Sequence, residues 1–404
     1  MSTQNVTFVL RNGTASEWST SNPILRGGEP GFDLTNNILK LGDGSLPWNS
    51  LPPHSSDYNR ITNSIGIGQN AGSTGQGNYS VAIGQDAGKT NQNSYAVAIG
   101  NNAGNTGQGI DSIAIGRYAG RTGQGLYSVA IGQSTGTSTQ GQMSVAIGSD
   151  CGTNSQGRDS VAIGTECGTT SQGQYSVAIG SEAGMILQGT QSVAIGQYAG
   201  SNTQGTQSVA IGQYAGFTGQ KGQSISIGPH SGGNSQGRNA VSIGNYAGTT
   251  GQGDYSVAIG DNAGSTGQGT QSVAIGAGAG NNGQKAYAVA IGDNAGNTGQ
   301  GVDAVAIGVA AGSTSQGQDS VAIGAGAGNN GQGDYSVAIG SGAGHVNQPS
   351  NTIIINALPV QLNGTGATGS FYVKPIRDLQ GAGLDSFRTL YYNATTGEIA
   401  FSST

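Results

Sequence analysis

The chain is predicted to be all-β: a parallel β-solenoid of 16-residue coils flanked by a small β module at each end. Three observations lead there. The glycine that closes each "VAIG"-like element falls at 68, 84, 100 and so on to 340, always 16 residues apart, which makes 18 copies without insertion or deletion. Each copy holds a short β-branched element such as Ser80-Val81-Ala82-Ile83, ended by Gly84. The composition, 77 glycines with 8% charged and 6% aromatic residues in 404, does not describe an ordinary globular enzyme.

Residues 1–52 form the first unit and carry both tryptophans, Trp18 and Trp48. "LRNGTASEWSTSNPILRGGEPGFDLTNNILKLGDGSLPWNSLP" reads as short strands joined by Gly, Asn and Asp turns. Residues 53–62 read as a linker, and 63–356 as the solenoid, where "NTIII" and Asn356 continue the register as a half-copy. In 357–404, "TLYYN" and "EIAFS" alternate around "ATTG" and predict a β-hairpin that caps the last coil and sets chain register.

Within a coil, Val81 and Ile83 lie two apart and share one side of the strand, while Ser80 and Ala82 share the other. A uniform period lines these up into columns, since one insertion would throw every later strand out of line. The glycine of Ala-Gly, from Gly72 to Gly344, marks a bend. Each coil thus has two extended segments and two turns, and stacking at about 4.8 Å gives a rod on the order of 85 Å long. Neither the Ser80 nor the Ala82 column carries a charge, although Gly66, Ser226, Ser242 and Ile354 replace alanine. An uncharged face needs cover. Together with the small aliphatic content of one coil, this predicts a homo-oligomer with the Ala/Ser rows facing its axis.

The glutamine column, Gln76 to Gln348, predicts an amide ladder bonded from coil to coil, with a row of ligand-binding amides as the other reading. Cys151 and Cys167 stand in alanine's slot in consecutive coils, as small buried thiols or as an inter-coil bridge. "GQDAGKT", Gly84 to Thr90, is one spacer short of a phosphate-binding loop, and its lysine has no counterpart in most copies. No metal site or cofactor is expected, because His54, His230 and His345 show no ligand spacing. With 14 basic against 20 acidic residues, scattered, nucleic acid is not an expected partner. The start "MSTQNVTFVLRNGT" lacks a secretory pattern and no long apolar run occurs, so neither standard secretion nor membrane insertion is expected.

The pattern "RNGTASEW…NPIL…GEPGF…LKLGDG…WNSLP" resembles the N-terminal module of phage tail-fibre and tropism-determinant proteins. That resemblance implies a particle-proximal module of a trimeric receptor-binding protein. The "SVAIG" coils resemble the head of the trimeric autotransporter adhesins, which implies a left-handed parallel β-roll packed three together; the coils here are somewhat longer. The tail from Ser370 onward resembles C-terminal segments of repetitive structural proteins of large DNA viruses.

Expected function is therefore non-enzymatic: a homotrimeric fibre or spike on the surface of a virus particle, joined to other virion proteins through 1–52 and projecting a stiff rod. A host glycan or surface protein is the expected external partner. The candidate contacts are Tyr79, Tyr95, Tyr127, Tyr175, Tyr255, Tyr287 and Tyr335 before the strand, and Tyr118, Tyr198, Tyr214 and Tyr246 after it. Aromatic faces suit sugars and repetition supplies avidity; the competing reading is a tyrosine that packs on its neighbour. The alternative function is a bacterial-type surface adhesin. An ice-binding surface built on Thr74, Thr90 and Thr106 ranks lower because other residues interrupt that column, and a polysaccharide depolymerase ranks lower because acids are sparse.

Overall fold

The computed structural model describes residues 10–36, 38–51, 58–59, 63–364, 368–376, 390–392, 395, 397 and 399–401. In the N-terminal module, β1 (Arg11–Gly13) runs parallel to β2 (Pro30–Asp33), which pairs antiparallel with β3 (Ile38–Leu41). A short helix, α1 (Ala15–Ser21), interrupts the expected run of strands. Its signal was present in Thr14-x-x-Glu17: the Glu17 amide donates to Thr14 Oγ1 at 3.3 Å and the Thr14 amide to Glu17 Oε2 at 2.7 Å, a reciprocal cap. The helix carries Trp18 onto Trp48, ring centroids 3.9 Å apart, over buried Leu25 and Leu51. Lys40 Nζ lies 4.8 Å from the Trp48 ring centre and donates to the Trp48 carbonyl at 2.7 Å.

The predicted solenoid is present. Tyr58–Asn59, inside the segment read as a linker, pairs antiparallel with Ser64–Ile65 at the start of the first coil strand. From there the strands pair parallel in chain order, each residue against its equivalent 16 positions on: Val81 with Val97, Ala82 with Ala98, Ile83 with Ile99. A second parallel stack runs through the glutamine segment, as in Thr122–Gln124 and Ser138–Gln140, and continues as single bridges from Thr74 to Thr122 and from Thr218 to Val346.

The faces of the coil are the reverse of the expectation. Ala82 and its equivalents point into the coil at 0% exposure, and Ser112 and its equivalents are likewise buried. The branched residues face outward: Ile195, Ile211, Ile227 and Ile243 stand 36–37% exposed. The reason is thickness. Gln92, fully buried, crosses from the second segment and donates from Nε2 to the Val81 carbonyl at 2.8 Å and the Ala96 carbonyl at 3.3 Å. With that amide inside, the positions opposite hold small residues: alanine, serine, cysteine and, at Thr135, threonine. The Ser112 hydroxyl is satisfied locally by the Gly109 carbonyl at 2.7 Å. The Ala-Gly glycine belongs to the same layer: Gly88 has φ +51°, and a Cβ there would stand 2.6 Å from Gln92 Oε1.

Glutamine therefore ties the two segments of one coil together, and the coil-to-coil amide bond is secondary. That bond forms at Gln92 to Gln108, Gln188 to Gln204, Gln220 to Gln236 and Gln284 to Gln300, at 3.0–3.2 Å. Burial also removes the ligand-binding reading of these amides. Replacing Gln204 with leucine deletes its bonds to the Val193 and Ser208 carbonyls and is expected to cost about 2 kcal/mol, read as a lower thermal midpoint than wild type.

The last coil is closed by larger residues. Ile354 takes alanine's place and is fully buried against Leu362 and Tyr372. Ile353–Asn356 pairs with Phe371–Lys374, and Asn356 Nδ2 donates to the Ser341 and Val360 carbonyls at 2.7 and 2.6 Å. Beyond it, Leu390–Tyr392 and Ile399–Phe401 form the expected antiparallel pair.

Candidate attachment surface

Side chains that reach solvent do so mainly from the bends, and the bends are unusual in backbone. Five positions of each coil lie at positive φ, among them Gly84 (φ +122°), Asp86 (+55°), Gly88 (+51°), Asn91 (+52°) and Tyr95 (+61°). Left-handed backbone at a residue with a Cβ costs about 1 kcal/mol, and the ladder holds it: the Tyr95 amide donates to the Asn78 carbonyl one coil back at 2.9 Å. Side chains at these points are aimed by fixed backbone.

All the tyrosines predicted before the strand occupy one such column. Tyr79, Tyr95, Tyr127, Tyr175, Tyr255, Tyr287 and Tyr335 have φ between +56° and +62° and exposures of 53–61%. Tyr79 and Tyr95, on adjacent coils, stack at 5.3 Å, and the Tyr335 hydroxyl accepts from Gln318 Nε2 at 2.7 Å. Tyr127, Tyr175, Tyr255 and Tyr287 are separated from the next tyrosine by other residues in the column, such as Met143, Gln271 and Asp303.

The second column behaves differently. Tyr198 stacks on Tyr214 at 4.7 Å, Tyr214 on His230 at 5.1 Å and His230 on Tyr246 at 4.6 Å. Phe217 meets the Tyr198 and Tyr214 rings edge-on. The faces of Tyr214 and His230 are thus turned onto neighbouring rings, which leaves edges and polar atoms for solvent. One coil upstream, Glu182 accepts from the Tyr198 hydroxyl and, with its charge, holds that phenol above the usual tyrosine range. His230 and Phe217 were not foreseen. Adding 16 to Tyr214 would have found His230 in the same column.

Tyr118 stands apart, flanked by Arg117 and Arg121, whose guanidinium carbons lie 5.4 and 5.3 Å from its ring centre. Neither arginine was singled out from sequence.

The remaining motifs fall to structural roles. Lys89 of "GQDAGKT" pairs with Asp86 at 3.0 Å, and the motif is one coil's strand end and bend. Cys151 and Cys167 are free and buried; Cys151 Sγ donates to the Gly164 carbonyl at 2.8 Å. Contact with Cys151 and burial push the Cys167 thiol up, away from reactivity. His345 donates from Nδ1 to the Gly326 carbonyl at 3.0 Å, and His54 lies outside the described residues. Among the described residues no cluster of three or more His, Cys, Asp or Glu is placed to hold a metal, and no helix is long and apolar enough to cross a membrane.

The structure defines a parallel β-solenoid with a small N-terminal sheet. Two family models match it. Residues 10–46 match the major tropism determinant N-terminal domain, and the YadA head domain repeat matches residues 62–87, 155–183, 188–215, 235–263, 252–279, 300–327 and 332–343. No curated protein and no solved structure matches significantly, and nothing supports the third resemblance, at the C-terminal end. Both matched models are structural or adhesin-like, and the chain is of fibre- or adhesin-type build.

Proposed function

We propose that this chain is a structural fibre or spike protein of a virus particle that attaches non-covalently to a host surface. The reading is carried by the joining, in one chain, of a module similar to a tropism-determinant N-terminus and a rod of adhesin-head repeats. The module, 1–52, joins the particle; the rod, 63–356, spans the gap; the hairpin end, 357–404, caps and registers the assembly.

Self-association belongs to the same proposal, and the exposed Val/Ile ladder supports it. Burying the outward isoleucine on each coil contributes about 1–2 kcal/mol. Summed over the rod this is on the order of 20–30 kcal/mol, well beyond the roughly 4–15 kcal/mol cost of association. Three chains with these faces inward leave the tyrosine bends on the outside. Of the candidate contacts, Tyr127, Tyr175, Tyr255 and Tyr287 have the freer ring faces for a sugar, while Tyr79, Tyr95, Tyr198, Tyr214 and Tyr246 give ring faces to neighbours.

Labelling residues 1–52 and imaging particles is the test. The label is expected at the base of a projecting rod. Rods found on a cell envelope would favour the surface-adhesin alternative, and label absent from particles would overturn the virion assignment.

A further inference from the structure

Charge on the solenoid is sparse, and three ion pairs form among its described residues: Lys89 with Asp86 at 3.0 Å, Arg158 with Asp159 at 2.9 Å, Lys221 with Asp254 at 3.4 Å. The coil 113–128 differs from the others in holding two basic residues. It carries Arg117 and Arg121 and no acid, and the next coil, 129–144, carries no charge. Both arginines are exposed, both guanidiniums lie within 5.4 Å of the Tyr118 ring centre, and no ion pair or side-chain hydrogen bond engages either among the described residues.

The backbone beneath them is fixed. Tyr118 sits at φ +62° with its amide bonded to the Asn101 carbonyl at 2.9 Å. The Arg117 carbonyl accepts from the Ser134 amide at 2.8 Å and the Arg121 carbonyl from the Thr106 amide at 2.9 Å. Two cations are therefore held around one ring with no counter-charge of their own, an arrangement that an incoming oxyanion relieves. Guanidinium forks match the planar oxygens of carboxylate or sulfate.

We propose that Arg117, Tyr118 and Arg121 form a binding site for an acidic polysaccharide, one whose sugars bear carboxylate or sulfate. The proposal names the ligand class for the attachment function and rests on that reading. The site lies on an outer bend, which suits a chain crossing the surface. Gln133, one coil on in the column of Arg117, offers a neutral neighbour for sugar hydroxyls.

The test uses the full chain, immobilised, with polygalacturonate oligosaccharides, sulfated dextran and neutral dextran in turn, at low and high salt. Wild type is expected to bind at least one acidic polymer, more weakly in high salt, and to ignore neutral dextran; which polymer binds distinguishes carboxylate from sulfate. The double variant R117Q/R121Q is expected to lose affinity about ten-fold or more, while R117K/R121K, which keeps charge but not the fork, loses less. An unchanged β-rich spectrum of each variant excludes misfolding. Failure of wild type to bind either acidic polymer, equal binding of neutral dextran, or equal binding by R117Q/R121Q would overturn the site. Host-cell binding is measured in parallel. Cell attachment by a wild type that ignores both acidic polymers sinks this site and leaves the attachment function standing; polymer binding without cell attachment does the reverse.

Discussion

Replacing Gly148 with alanine is expected to lower stability by about 3–4 kcal/mol or more. Gly148 has φ +132°, outside the backbone range open to a residue with a Cβ, and an added Cβ would overlap the Gly164 carbonyl of the next coil. That carbonyl cannot retreat. Val145–Ser149 and Val161–Thr165 pair over five consecutive residues, so moving one carbonyl disturbs the whole rung. Because contacts in a solenoid run only to neighbouring coils, the damage should open the rod locally. Limited proteolysis is expected to cut the variant near 148–164 under conditions that spare wild type. Gly123→Asn is the control: its φ is +66°, the nearest atom to an added Cβ is 3.8 Å away, and Thr139 already occupies the equivalent position at φ +53°. It should change the thermal midpoint little.

The second large effect concerns association. Changing Ile195, Ile211 and Ile227 together to lysine places three charges on the outward ladder, where each isoleucine is 36–37% exposed in the single chain. In an isolated roll the lysines would reach water at little cost. Across packed chains they would stand beside one another without counter-charges, each desolvated cation costing several kcal/mol. The triple variant is therefore expected to sediment as a smaller species than wild type. An unchanged oligomer mass would show that the ladder is not the contact face.

Much of this fold was legible because its signals are repeated. The glycine register fixed the coil, the Gly84-type ends fixed the strands, and the alternation around "ATTG" fixed the last hairpin. The direction of the coil's faces was not legible. In Ser80-Val81-Ala82-Ile83 neither side carries charge, so alternation separates two faces without saying which is inside. The deciding residue was Gln92: a buried amide crossing a coil of this size leaves room only for small residues opposite. Its recurrence was visible, but its bond to Val81's carbonyl links positions 11 apart, which no strand or turn pattern encodes.

The candidate surface was partly legible. The tyrosine column was read correctly as a row, yet its left-handed backbone was hidden because tyrosine rarely takes that conformation; Asp111, Asp159 and Asn351 in the same column were the clue. The ring stack through His230 and the Arg117–Tyr118–Arg121 cluster depend on matching residues across coils or around one bend, beyond the listing of aromatics by type.

A thin roll filled with alanine, serine and glutamine turns its valines and isoleucines outward, and we propose that sister chains cover them. Sedimentation equilibrium on the purified full chain decides this. A folded species of three times the 39.9 kDa chain mass is predicted; a stable, folded 39.9 kDa monomer that resists protease would contradict it.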